Sequence, residues 1–364
     1  MVGGPFSFSG VYHDMSTSSR HGVGILGATG MVGQQFIRLL AAHPWFEPVW
    51  LAASERSAGR AYREAAPWRL ATPCPPGIEE RRVEACVPGR GPTLVFSGLD
   101  ASAAGEIEPA FAAAGHVVVS NARNFRMDPR VPLLIPEINP DHLALIPHQR
   151  RERGWSGAIV TNPNCSTVVL SIVLAALRPF GITRVMVTTL QAVSGAGYPG
   201  VPSLDILGNV VPCIAGEEDK IETEPRKILG TLEGEEVALH PMAVSAQTTR
   251  VPVVDGHTES VSIAFERPPS IEDARAALER FRGRPQELGL PGAPASPILY
   301  LDAPDRPQPR LDVDAGAGMS IAVGRLRPCG VFDLKLVALG HNTVRGAAGA
   351  AILNAELMQV DGWL

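Results

Sequence analysis

The sequence predicts an α/β protein in two parts, a doubly wound parallel sheet followed by an α+β half. Three observations predict it. A strand, a glycine-rich turn and an amphipathic helix open the folded part in "GVGILGATGMVGQQFIRLLAAH", residues 22–43. Short apolar strands and helical stretches then alternate as far as residue 181. From about residue 183 the pattern changes to β-rich runs separated by long loops. Strands that alternate with helices need crossover connections, and these lay helices on both faces of a parallel sheet.

Each element has its own reason. The first twenty residues, "MVGGPFSFSGVYHDMSTSSR", are Ser- and Gly-rich and lack the basic start and continuous apolar core of a secretory signal. They are expected to be a flexible tail over 1–20, with Met15 an alternative start. "EPVWLAAS" (47–54) is a second strand that completes a βαβ unit. "TLVFSGLD" (93–100) and "GHVVVSNA" (115–122) are apolar strands on either side of the helical "ASAAGEIEPAFAAAG". "GAIVTNPNCSTVVLSIVLAALRPFG" (157–181) reads as a strand, a tight turn and an apolar helix. "TRVMVTTLQAVSG", "RVPVVDGHTESVSIAFE" and "GMSIAVGRLR" read as strands of a second, largely solvent-backed sheet. Residues 286–317, rich in Pro, Gly and Asp, are expected to form a long surface loop. "GHNTVRGAAGAAILNAELM" is a small-residue helix able to pack back on the first half. The resulting boundaries are 21–161 for a dinucleotide-binding domain, completed by 341–364, and 162–340 for a second domain.

Composition narrows the function classes. With 364 residues, 45% of them hydrophobic, the chain can bury a large core and fits two domains. A net charge of −5 argues against a nucleic-acid surface or a polybasic membrane patch. No run approaches the ~18–20 apolar residues of a membrane span. Five cysteines (Cys74, Cys86, Cys165, Cys213, Cys329) are an odd number with no CxxC pair. Neither a metal site nor a disulfide framework is expected, and a reducing cytoplasm suits them.

Gly27, Gly30 and Gly33 follow the first strand and open its helix. Glycines permit a tight turn there, and the helix start offers free N–H groups and a positive dipole end to a pyrophosphate. The turn residues Gly27, Thr29, Gly30, Met31, Val32 and Gly33 are therefore candidate cofactor contacts. The end of the second strand reads "AASERSAGR". Ser54, Arg56 and Ser57 suit a ribose 2′-phosphate, although Glu55 between them would repel one unless turned away. A polar loop that binds nothing is the plain alternative. The expectation is a Rossmann-type domain that takes NADP rather than NAD.

Cys165 lies where "TNPNC" becomes a helix, and a helix N-terminus lowers a thiol's pKa. It is either a nucleophile or a small buried hydrophobe. A nucleophile needs a base and an oxyanion stabiliser. His257, where a turn re-enters an alternating strand, is the distinctive histidine, whereas His21, His116, His142 and His148 occupy surface-like contexts. Arg250, heading an apolar run, should meet an anion, either a ligand or a structural carboxylate.

"GATGMVG", "SERSAG", "FRMDPRVPLLIPEIN", "TNPNCST", "LQAVSGAGYPG", "GEEDKIETEPRKILG", "RVPVVDGHTESV" and "GHNTVRGAAG", in that order over residues 22–358, resemble the aspartate-β-semialdehyde dehydrogenases, in the form of their archaeal and fungal branch. The resemblance implies NADPH-dependent reductive dephosphorylation of L-aspartyl-4-phosphate, on the route to lysine, threonine and methionine. It implies Cys165 as the nucleophile that becomes a thioester, His257 as acid/base and Gln191 as the group orienting the substrate carbonyl. Arg250 would hold the substrate carboxylate, Glu217 its ammonium, and Arg126 and Lys220 its phosphate. Ser194, Gly195 and Asn342 would line the nicotinamide side of the cleft. The second domain would be catalytic and would make a homodimer or homotetramer. A malonyl-CoA reductase of the same fold is the nearest alternative, and a non-catalytic NADP-binding sensor is the alternative of another class.

Overall fold

The computed structural model describes residues 20–364. The tail expected over 1–20 therefore lies, but for Arg20, outside the described residues. The first sheet contains β1 (His21–Leu26), β2 (Phe46–Ala53), β3 (Glu84–Ala85), β4 (Leu94–Ser97), β5 (Val117–Ser120) and β6 (Ala158–Thr161). They run parallel in the order β3-β2-β1-β4-β5-β6. The chain winds outward from β1 in both directions, so a crevice opens at the carboxyl ends of β1 and β4.

Two glycines make that crevice possible. Gly27 has φ +73°, and a methyl group there would lie 2.7 Å from the carbonyl oxygen of Gly98, just past β4. At Gly33 a methyl would lie 2.3 Å from the Gly27 carbonyl, so the helix Met31–Leu40 could not seat on the turn. Gly30 is different: nothing comes nearer than 3.5 Å, and the missing side chain leaves room for a ligand.

The C-terminal segment returns to this sheet. A π-helical turn, Val344–Ala348, leads into the helix Gly349–Val360. Ala351, Ile352, Leu353 and Leu357 share one core with Val23, Phe36 and Phe96. On the other face Leu26, Val95, Val118 and Ile159 pack with Phe111.

The helix Cys165–Leu177 leaves β6 and leads into the second half, where β7 (Ile182–Gln191), β10 (Ala243–Arg250), β11 (His257–Phe265), β12 (Ile298–Leu301), β13 (Ile321–Pro328) and β14 (Leu334–Gly340) form a mixed sheet. Its order is β10-β7-β11-β14-β13-β12, and β8 (Thr231–Glu233) with β9 (Glu236–Ala238) forms a separate hairpin. One face is covered by three helices, Cys165–Leu177, Glu218–Ile228 and Ile271–Arg280. Val169, Val173, Ile221 and Leu278 from those helices meet Val185, Val187, Val261 and Ile263 from the strands. The other face is open, with Met186 50% and Leu190 44% exposed.

Three expectations need correction. Residues 286–317 are not one long loop, because β12 lies within them and pairs parallel with β13. "ILYL" is too short for its own periodicity to identify it; the open edge of β13 makes it a strand. Arg250 ends β10 instead of heading a strand, and residues 251–256 run outside the sheet before β11 begins. His116 and His142 are buried, not at the surface. His116 accepts the Gly89 amide and bonds the Pro92 carbonyl, so both its ring nitrogens are met, while His142 bonds Asn139 through Nδ1 and its Nε2 has no partner among the described residues.

Candidate active site

Asn164 caps the helix that begins at Cys165. Its Oδ1 accepts the amides of Ser166 (3.0 Å) and Thr167 (3.2 Å), and its carbonyl accepts the amide of Val168. The first four amides of a helix lack partners within it. Here those of Ser166 and Thr167 are satisfied by the cap and that of Asn164 by Glu224, whereas that of Cys165 has no partner among the described residues and lies beside its own half-buried thiol.

The second sheet supplies the facing groups from adjacent strand ends. Arg250 pairs with Gln191 across β10 and β7, and His257 opens β11 beside them. The sulfur of Cys165 lies 3.2 Å from Nε2 of His257. The backbone N–H of Ala192 donates to Nδ1 of the same ring at 3.1 Å. A neutral ring that accepts at Nδ1 carries its proton on Nε2, facing the sulfur. The carbonyl of Ala192 accepts from Nη1 of Arg250 at 2.8 Å, so a single residue fixes both side chains. Gly195 must lack a side chain, since a methyl there would lie 3.0 Å from both Arg250 Nη1 and His257 Cε1. Asn342 ties the loops together, donating to Ser194 Oγ and accepting the Gly256 amide. Gln191 is buried, with its amide nitrogen donating to Thr189 Oγ1.

The helix Glu218–Ile228 and the residue before it add charge. Glu217, Lys220, Glu224 and Lys227 recur at i, i+3, i+7 and i+10, the spacing of one helix face. Glu217 accepts from Asn164 Nδ2 (2.7 Å) and from Lys220 Nζ (2.8 Å). Glu224 accepts from Arg126 Nη1 (3.0 Å) and from the amide of Asn164 (2.7 Å). Nη2 of Arg126 donates to the carbonyl of Asn121, while its buried Nε has no partner among the described residues. The adjacent Glu218 is committed elsewhere, to the amide of Thr248, so Glu217 is the glutamate at the thiol.

Electrostatics hold the resting pair neutral. Burial, reinforced by Glu217, pushes the Cys165 thiol up to about 12, against the pull of Arg126, Arg250 and Lys220. Burial, with Arg250 nearby, pushes the His257 imidazole down to about 3. Burial works against ionisation of Glu217 too, but Lys220 and Asn164 outweigh it and hold the carboxyl below the ordinary range. Around the sulfur stand three cations and the carboxylates Glu217 and Glu224. That set suits a small substrate with several anionic groups and one ammonium.

The cofactor candidates lie around the crevice of the first sheet. A cavity of about 480 Å³ is lined by Gly27, Thr29, Gly30, Ser54, Glu55 and Arg56. The amides of Met31, Val32 and Gly33 have no partner among the described residues, and Gly30 before them has no side chain to cap them. Free amides at a helix start, space at Gly30 and no acidic residue in the first turn fit a pyrophosphate. Ser57 is placed differently: it is buried, does not line the cavity, and its amide closes a turn onto the Ser54 carbonyl.

Sequence reasoning missed Glu224, Ala192 and Gly346 and gave Asn164 no role. Glu224 was visible as part of the charge stripe in "EEDKIETEPRK". Gly346 lets the π-helical turn touch Cys165, since a methyl there would lie 2.6 Å from Cys165 Cβ. Ala192 acts through its backbone, which leaves no side-chain signal.

Comparison with known proteins agrees with the two-part fold. Residues 22–146 match the family model "Semialdehyde dehydrogenase, NAD binding domain", and residues 174–345 match "Semialdehyde dehydrogenase, dimerisation domain". The chain is 53% identical to an aspartate-semialdehyde dehydrogenase of Archaeoglobus fulgidus over 93% of its length and 98% of the relative's. It is 52% identical to one of Cryptococcus neoformans, covering 94% and 98% of the two chains. The crystal structure of the Candida albicans enzyme with NADP superposes with a TM-score of 0.87 at 45% identity, covering 95% of this chain and 100% of that one.

Proposed function

This chain belongs to the aspartate-semialdehyde dehydrogenase family, and from that premise we propose how its own residues carry out the reaction. The reaction is the reversible reductive dephosphorylation of L-aspartyl-4-phosphate to L-aspartate-4-semialdehyde, with NADP(H) as cofactor. The observation that carries the proposal is the Cys165–His257 contact at a helix start, inside a ring formed by Arg126, Lys220 and Arg250.

Arg250 holds the substrate's α-carboxylate, Glu217 its ammonium, and Arg126 with Lys220 its phosphate. Gln191 orients the acyl carbonyl. The sulfur of Cys165 attacks that carbonyl as its thiol proton passes to the departing phosphate; a carbon–sulfur bond forms, the carbon–oxygen bond to phosphate breaks, and phosphate leaves as hydrogen phosphate with the bonding electrons. The free amide of Cys165 donates to the oxyanion as it develops, and Nε2–H of His257 is the second donor. Bound NADPH supplies the hydride that reduces the thioester. His257 shares its Nε2 proton with the resulting alkoxide and keeps it as the aldehyde departs and the thiolate reforms. On this geometry the acid/base role expected of His257 becomes that of a proton held at Nε2. Group positioning and acid/base assistance of this kind typically contribute about 10²–10⁴ in rate.

The cofactor's pyrophosphate meets the turn Gly27–Gly33, and Ser54 with Arg56 takes the 2′-phosphate. Ser194, Gly195 and Asn342 line the nicotinamide side. Residues 21–161 with 341–364 act as the cofactor domain and 162–340 as the catalytic one. The open face of the second sheet, with Met186 and Leu190, is the surface through which two copies pair as a homodimer, and a dimer of such dimers would make the tetramer. Among the described residues no helix is long and apolar enough to cross a membrane, in keeping with a cytoplasmic enzyme. No observation favours malonyl-CoA, whose acyl group has no ammonium for Glu217.

The test is NADP reduction by aspartate semialdehyde, followed by NADPH absorbance, with and without phosphate. Turnover that requires both substrates is expected. Turnover only with malonate semialdehyde and coenzyme A would overturn the assignment.

A further inference from the structure

Lys227 is a charge the mechanism leaves unused. It lies on the helix Glu218–Ile228, one turn beyond Glu224, and is 3% exposed. Its ammonium donates to three backbone carbonyls, those of Arg126 (2.8 Å), Asp128 (2.7 Å) and Val131 (2.8 Å). A lysine ammonium has three N–H donors and no acceptor, so all three are used and none reaches another side chain. The three carbonyls belong to one loop, folded by bonds from Arg126 N to Arg123 O, Asp128 N to Phe125 O and Val131 N to Asp128 O. That loop carries Arg126. Three carbonyl dipoles converging in a buried space repel one another and would lack partners without a cation between them. The negative groups facing Lys227 are Glu224 on its own helix and Asp128 on the loop, and neither is within its hydrogen-bond set.

Glu224 makes the arrangement a two-point attachment. It binds the Arg126 side chain and the amide of Asn164, the cap of the nucleophile's helix. One helix therefore holds the backbone of the Arg126 loop through Lys227, and the Arg126 side chain and the Cys165 turn through Glu224. We infer that Lys227 is a positioning residue of the phosphate site, an internal cation that fixes the Arg126 loop at its distance from Cys165. The inference rests on the reading of Arg126 as a phosphate ligand.

A lysine that served stability alone could be lost with no selective effect on phosphate. A clamp on the anion site predicts a selective one. Lys227→Ala is expected to raise KM for phosphate by about tenfold to a hundredfold, the scale of a displaced binding group, with NADP affinity unchanged. Because alanine vacates a site lined by three carbonyls, n-propylammonium is expected to restore the phosphate KM of the variant. Tetramethylammonium, which has no N–H, is expected not to. Lys227→Gln, which keeps volume and two donors, should fall between the variant and the wild type. An unchanged phosphate KM in folded Lys227→Ala would overturn the inference. So would failure of both variants to fold even with n-propylammonium, which would make the lysine purely structural. Arg126→Ala, measured in parallel, separates the two levels: an unchanged phosphate KM there would sink the reading of the anion site itself.

Discussion

Asn164→Asp exchanges one NH₂ for an oxygen and leaves the helix cap in place, because Oδ1 still accepts the amides of Ser166 and Thr167. What it removes is the donor to Glu217, which sits 2.7 Å away. Two ionised carboxylates at that separation would repel by about 6 kcal/mol at an effective dielectric constant of about 20. Asn164 is 5% and Glu217 6% exposed, so solvent offers little relief. Protonating one of them is cheaper: at pH 7 it costs roughly 3–4 kcal/mol, at about 1.4 kcal/mol for each unit above an ordinary glutamate pKa of about 4.3.

The variant's penalty should therefore depend on pH with a definite sign. Its folded state holds a shared proton that the unfolded state releases above about pH 4, so the folded state loses ground as pH rises. Below about pH 4 both states are protonated and the penalty disappears. Urea denaturation of wild type and variant side by side is the assay, and other groups' pH dependence cancels in the difference. The gap is expected to be about 1 kcal/mol at pH 5 and to widen to about 5 kcal/mol at pH 8. Asn164→Ala is the control, since it loses the cap at a cost of about 1–2 kcal/mol with a far weaker pH slope. A gap for Asn164→Asp that is flat with pH, or that grows as pH falls, would refute the reasoning.

Other outcomes follow from single contacts. Cys165→Ala should abolish turnover and leave NADPH binding, followed by cofactor fluorescence, intact; lost binding would make the thiol structural. Glu259 is fully buried on β11, neither of its carboxyl oxygens has a partner among the described residues, and burial holds it well above the ordinary range. Burial therefore favours its neutral form, and Glu259→Gln should be tolerated. Relative to that variant the wild type should lose up to about 1.4 kcal/mol of stability per pH unit above about 4.3, where only the unfolded glutamate ionises. Parallel pH dependence of the two proteins in denaturation would contradict this. Arg345 donates twice to Glu137, at 2.8 and 2.7 Å, with both side chains sealed from solvent. Arg345→Met should cost about 3–5 kcal/mol, because it strands a buried carboxylate, and Glu137→Leu added to it should recover most of the loss.

How much of this was legible varies with the physics. The first sheet was readable because a parallel sheet buried on both faces needs unbroken apolar runs, and "GVGIL", "TLVFS", "HVVVS" and "GAIVT" are such runs. Its glycine turn was readable because Gly27 and Gly33 answer to steric limits local to the sequence. β12 was not, since four residues become a strand only when β13 presents an open edge. Cys165 and His257 were paired through the order of motifs, for nothing local to Cys165 says that His257 meets it from a strand end 92 positions away. That Ser57 is buried and does not line the cavity was illegible for a related reason. A hydroxyl in a strand-end loop reads alike whether it faces the crevice or turns under it.

The positive groups at the thiol illustrate what composition conceals. Arg126 rests on Glu224 and the Asn121 carbonyl, Lys220 on Glu217, and Arg250 on the Ala192 carbonyl. A buried cation without a partner would cost several kcal/mol, so a site built to receive an anion must supply substitutes for it while empty. Binding is then an exchange of partners, not the filling of bare charges. In that exchange Glu217 is pivotal, because it engages Lys220 at rest and the substrate's ammonium in the proposed complex. On the proposed binding mode an arriving ammonium would take over the carboxylate and release Lys220 toward phosphate, and a substrate without the ammonium would leave Lys220 held. The amino group of the substrate, remote from the bond that breaks, would thereby bear on how firmly the leaving group is gripped, and the site would discriminate for it at the phosphate as well as at Glu217.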